Sequence, residues 1–189
     1  MVTKKPKKGK KGKRREKAGK NALGEKRAKQ REKSLKMVVF LAKFFIIFTI
    51  LSVIIDNLEL SFFTGWLAAA SGSPLGMDAV GNIVLVDGQR FAVTNACTGL
   101  VSSAILASVI FALKKPEMGK KILLFATGLV VLLVANVPRI MLVLWSAALG
   151  LDAGMVHVAT WFLMSAIILA LWYYGTKWYA GIRDFGELV

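Results

Sequence analysis

Apolar and polar positions along the chain fall into blocks too long for a soluble core. The first uninterrupted apolar block is "MVVFLAKFFIIFTILSVII", residues 37–55, with one charge, Lys43. About 20 apolar residues are what a helix needs to cross a hydrocarbon core of about 30 Å, so this block reads as a first span. The next is "TGLVSSAILASVIFAL" (98–113), read as a second, short span. Its small residues Gly99, Ser103 and Ala107 recur at every fourth position, a ridge that lets another helix approach closely. "ILLFATGLVVLLVANVPRIMLVLWSAALG" (122–150) carries a single charge, Arg139, beside Pro138. A proline inside a helix removes a donor and crowds the carbonyl four residues back, here that of Val134, so a kink or break is expected there. "AGMVHVATWFLMSAIILALWYYG" (153–175) reads as the last span.

Between the first two spans, residues 56–96 alternate differently. "SFFTGWLAAASG" (61–72) reads as a short interfacial helix. "NIVLV" (82–86) and "RFAVT" (90–94) flank "DGQ" and read as two strands around a turn, with Asp87-Gly88 as the hairpin signal. The expected fold class is therefore an all-α membrane protein of about four transmembrane helices with a small extracytoplasmic β-hairpin.

Charge then gives the chain a direction. Residues 1–36 hold 17 of the 26 Lys and Arg against three Glu, so almost all of the net charge of +15 sits in this tail. Having almost no apolar residues, "KKPKKGKKGKRREKAGK" cannot bury enough surface to offset ordering entropy, and 1–36 reads as a disordered basic cytoplasmic tail that touches anionic lipid head groups rather than nucleic acid. Residues 37–189, unbroken by repeats or linkers, form one polytopic membrane domain. Its start does not resemble a secretory signal, because the charged region is too long and no small-residue cleavage site follows. "KKPEMGKK" (114–121) is cytoplasmic by the positive-inside rule, as are Lys177 and Arg183 after the last span. Both termini then lie inside. The loop with Asp56, Glu59, Asp78 and Asp87 against Arg90 lies outside.

This topology brings three chemically distinctive residues to the outer face. Cys97, the only cysteine, starts the second span; Arg139 lies about 26 Å along the third; and His157, the only histidine, begins the fourth. Together they make a candidate for nucleophilic acyl transfer. The thiolate is the nucleophile and is favoured near a cation or a helix N-terminus. An imidazole can take the thiol proton and return it to the leaving amine. An arginine keeps its charge and can stabilise an oxyanion. Singly, each has a plainer reading: a buried Cys as a small hydrophobe, a His as a hydrogen-bonded structural residue, an Arg as an interfacial anchor. No metal-ligand cluster, phosphate loop or HExxH motif is present, so neither a metal nor another cofactor is expected.

"NACTGL" (95–100), "NVPRI" (136–140) and the downstream His157 resemble the archaeosortase/exosortase family of membrane transpeptidases, whose motifs are an Ala-Cys-Ser-Gly segment, an Asn-x-x-Arg segment and a later His or Arg. The resemblance covers roughly residues 77–165. It implies Cys97 as nucleophile, Arg139 as its electrostatic partner and His157 as acid/base, with Asn136 matching the family's Asn. Thr98 stands where the family usually has Ser, and four spans are fewer than many members have. The resemblance further implies a membrane thiol protease and transpeptidase. Its partners would be secreted substrate proteins ending in a short motif, a hydrophobic helix and a basic cluster, and a lipid-linked acceptor. The face formed by Gly99, Ser103 and Ala107 would hold the substrate's helix. A hydrolytic cysteine protease, or a non-enzymatic membrane adaptor with a lipid- or nucleic-acid-binding tail, are the alternatives.

Overall fold

The structure, a computed structural model, describes residues 10–181. It divides into two compact units, Met1–Phe40 and Leu41–Val189.

In the first unit the described residues are helical. Helix α1 runs Lys10–Asn57, so residues 10–36, expected to be disordered, are a helix; residues 1–9 lie outside the described residues. The composition that argues against a core still favours a helix, since Ala, Lys, Arg, Glu and Gln are its best formers. Glu32 and Lys36 add an i,i+4 ion pair at 3.3 Å.

The second unit is built around helix α4 (Met118–Ala148). Its N-terminal part packs with α3 (Leu100–Ala112) and α5 (Ala153–Ala180) through Leu106, Ile110, Leu124, Leu132, Met164 and Ile168. Its C-terminal part, through Ile140 and Leu144, supports a second core. That core holds Leu67 and Ala68 of α2 (Ser61–Gly72), Val84 and Val86 of the sheet, and Val93. The sheet has three antiparallel strands in the order β1 (Ala79–Val80), β2 (Ile83–Val86), β3 (Gln89–Ala92). Asp87 and Gly88, at φ 45° and 79°, form the tight turn between β2 and β3 that the Asp-Gly pair announces. The two-residue strand β1 adds to the expected hairpin.

Among the described residues three helices are long and apolar enough to cross a membrane: Gly24–Asn57 within α1, Met118–Ala148 and Ala153–Tyr179. The stretch 98–113, expected to be the second of four spans, yields only the 13 residues of α3, about 20 Å, which is too short to cross alone. Two local features shorten it. Thr98 Oγ1 donates to Asn95 O at 2.6 Å and accepts from Leu100 N, and Gly99 takes a left-handed φ of 80°, so the helix cannot begin before Leu100. At its other end Leu113 is extended, and its carbonyl accepts from the buried Lys121 Nζ. Pro138 does not break α4, which is one helix from Met118 to Ala148. A break at this depth would strand several main-chain groups without water, whereas a continuous helix loses one bond. The ridge of Gly99, Ser103 and Ala107 is buried within the unit, and a Cβ on Gly99 would meet Asn136 Cβ at 3.2 Å. It is therefore an internal packing surface and not a free face for a substrate helix.

Candidate active site

The site forms where the two cores meet on α4. Asn136 and Arg139, three residues apart on one helical face, are both buried. Opposite them, His157 and Thr160 are three apart on the first turns of α5, whose start is fixed by Asp152: its Oδ1 accepts from Gly154 N at 2.9 Å and Met155 N at 3.2 Å. Cys97 comes from the loop between β3 and α3, where it closes a short 3-10 turn, Asn95–Cys97. Asn95 ties this turn to the end of α1, its Nδ2 donating to Ile55 O at 3.3 Å and Leu58 O at 3.1 Å.

Expected at the start of a span, Cys97 instead lies two residues before the Gly99 N-cap of α3, and its own N–H is spent on Thr94 O at 2.8 Å. A helix dipole acts within the first turn, so it contributes less to the thiol than the sequence implied.

Arg139 is held in one orientation by three partners. Its Nε donates to Thr160 Oγ1 at 3.2 Å, Nη1 to Asn136 Oδ1 at 3.1 Å, and Nη2 lies 3.5 Å from His157 Nε2. Asn136 completes a bridge, its Nδ2 donating to the carbonyl of Cys97. Thr160 Oγ1 in turn donates to His157 O at 2.7 Å. A guanidinium has five N–H groups, so one on each Nη is left for a ligand.

Cys97, Arg139 and His157 line one cavity of about 260 Å³, walled by Phe91, Ala92 and Val93 on one side and by Ala153 and Gly154 on another. The structure thus brings together all three residues singled out in the sequence, with Asn136 beneath them. Among the described residues Cys97 Sγ has one hydrogen-bond partner, Thr94 Oγ1 at 3.7 Å, and none joins it to His157. Such bonds are often loose before substrate arrives. Thr98 does not enter the cavity; it is fully buried with its hydroxyl turned onto its own loop. Arg139 also borders a second cavity of about 110 Å³ between α3 and α5, with Ser102, Trp161 and Met164 in its wall.

Sequence reasoning missed Thr160. A threonine in an apolar helix is unremarkable, and its only signal is the i,i+3 spacing from His157, matching that of Asn136 and Arg139.

The family model described as Transmembrane exosortase (Exosortase_EpsH) matches residues 22–174. No curated protein and no solved structure matches the chain.

Proposed function

The chain belongs to the transmembrane exosortase family, and from that premise we propose that it is a membrane-embedded cysteine transpeptidase that cleaves C-terminal sorting signals of secreted proteins. The observation that carries this reading is the convergence of Cys97, Arg139 and His157 on one cavity. Cys97 is the nucleophile. His157 accepts the thiol proton on Nε2, giving up its 3.5 Å contact with Arg139 Nη2, and the thiolate attacks the scissile carbonyl carbon. The resulting oxyanion is met by the two uncommitted N–H groups of Arg139, which Asn136 and Thr160 hold in place. The C–N bond then breaks, His157 returns its proton to the departing amine, and a thioester remains on Cys97. A nucleophile on a lipid-linked acceptor attacks the thioester and releases the thiol; water in its place gives simple hydrolysis.

In this reading the cavity faces outward and both termini are cytoplasmic. α3 serves as a fourth, thin crossing, shielded by α4 and α5. It runs from the level of Asn136, which bonds Cys97 O, to that of Lys121, which bonds Leu113 O. Those two positions are fifteen residues, about 22 Å, apart on α4. The basic tail meets anionic head groups at the inner surface.

The test is co-expression with a secreted protein from the same genome that ends in a hydrophobic helix and a basic cluster. Cys97→Ala is expected to remain inserted and to leave the substrate uncut. Mass analysis of the wild-type product, with and without an added amine, separates transfer from hydrolysis. Near-normal cutting by Cys97→Ala would remove the cysteine from the chemistry.

A further inference from the structure

The β-hairpin does more than decorate the outer face, because one of its edges forms a wall of the Cys97 cavity. Strand β3 is the last strand of its sheet, and Phe91, Ala92 and Val93 line the cavity. In an antiparallel ladder, residues alternate between those bonding the neighbouring strand and those turning their main-chain groups away. The register places Val84 opposite Phe91 and Leu85 opposite Arg90. Val93 N donates to Asn82 O at 2.7 Å, and Val93 O accepts from Asn82 Nδ2 at 3.2 Å, so Val93 faces β2. Phe91 and Gln89, two and four residues earlier, do the same. Leu85 N donates to Asp78 O at 2.9 Å, away from β3, which fits the same alternation.

Arg90 and Ala92 therefore present their N–H and C=O groups on the outer edge, where they have no partner among the described residues. Such an edge is a template for another strand, and proteins usually blunt it with charge, proline or a covering element. Here Ala92 offers only a methyl group, is exposed, and stands five residues before the thiol.

We infer that β3 is the substrate-docking edge of the site: an extended peptide adds as a fourth strand along Arg90 and Ala92, and this pairing delivers its scissile carbonyl to Cys97. The inference rests on the cysteine chemistry proposed above and adds its mode of substrate recognition. Main-chain pairing reads shape and extension rather than side chains, so the occupant is an unfolded peptide segment of any sequence that the cavity's apolar walls admit. A folded domain or a helix cannot use this edge. The substrate's residues would alternate, one set bonding β3 and the other standing free of it.

The test uses wild-type protein in membranes and alkylation of Cys97, the only cysteine in the chain. The probes are acetyl-tetraalanyl chloromethyl ketone, the acetyl-monoalanyl analogue, and iodoacetamide. In each ketone the thiolate displaces chloride and a thioether forms. The long ketone is expected to label at least about tenfold faster than the short one, since each main-chain hydrogen bond adds a few-fold to about tenfold in affinity. N-methylation of the long ketone at successive amides should cancel this gain at alternate positions and spare it at those between. Equal rates for long and short ketones, or a methylation effect without a two-residue period, with Cys97 still reacting with iodoacetamide, would overturn the strand-edge inference and leave the cysteine chemistry standing. A Cys97 inert to all three reagents would overturn both.

Discussion

Replacing Arg139 by lysine separates charge from geometry at the centre of the site. Three N–H groups of the guanidinium point to three partners: Thr160 Oγ1 at 3.2 Å, Asn136 Oδ1 at 3.1 Å and His157 Nε2 at 3.5 Å. A lysine keeps the charge on a single nitrogen at the end of a flexible stem and cannot reproduce a planar fork. Satisfying one partner leaves the others without their donor. A hydrogen bond from a charged group is worth about 1.5–3 kcal/mol, so losing one of those that hold the cation over the cavity costs roughly 10–100-fold if the whole loss is felt in the transition state. The clamp acts only by holding the oxyanion donor, so the two losses overlap, and loss of that donor costs on the order of 10²–10³. We expect Arg139→Lys to lower processing by on the order of 10²–10³ and Arg139→Ala to abolish it. Both should insert, since removing or moving a charge at this depth does not hinder insertion. The assay is cleavage of a co-expressed substrate over time, normalised to enzyme in the membrane fraction. A lysine variant within about threefold of wild type would show that positive charge alone suffices, and the argument from the three-point clamp would fail.

Thr160→Val removes the acceptor of Arg139 Nε while keeping the side chain's shape; about a tenfold fall in kcat is expected, with Thr160→Ser restoring it, and equal loss in both would point to packing instead. Gly99→Ala forces a Cβ into a left-handed backbone and against Asn136, a cost of about 1–2 kcal/mol, read as a lowered thermal midpoint in detergent; an unchanged midpoint would mean that the loop relaxes freely. For topology, in a Cys97→Ser background, cysteines at the exposed Gln89 and Leu151 should react with an impermeant reagent from outside, and one at Lys120 only after permeabilisation. Labelling of position 151 from the inside alone would refute the proposal that the cavity faces outward.

What the sequence concealed was local conformation, and what it disclosed was composition and spacing. Hydropathy ran through Thr98 and Gly99 without a mark, because both residues are at home in membrane helices. Only the hydroxyl bond to Asn95 O and the positive φ of Gly99 reveal that the helix starts at Leu100. Of the kink or break that Pro138 signalled, α4 does not make the break, since a proline's lost bond is small beside a helix end opened in an apolar medium. The Lys-rich tail was read through burial alone, although its Ala, Glu and Arg content is also that of a good helix. The Asp-Gly turn was legible because its requirement for left-handed φ is written in the residue types themselves.

The convergence of Cys97, Arg139 and His157 was legible for a different reason. An intramembrane charge has few tolerable positions, and once Arg139 is assigned a depth, its partners must come from the same depth on neighbouring helices. The structure meets this demand with two i,i+3 polar pairs facing each other, Asn136 with Arg139 on α4 and His157 with Thr160 on α5. Neither pair alone satisfies the guanidinium, since Asn136 takes one N–H and the α5 pair takes the other two. Together they satisfy a buried guanidinium on three sides and leave its remaining N–H groups for the cavity. The bond from Asn136 to the Cys97 carbonyl extends the same network to the loop that carries the thiol. The depth of the charge thus fixes the height of Cys97, and the strand that ends five residues before it is drawn with it to the cavity.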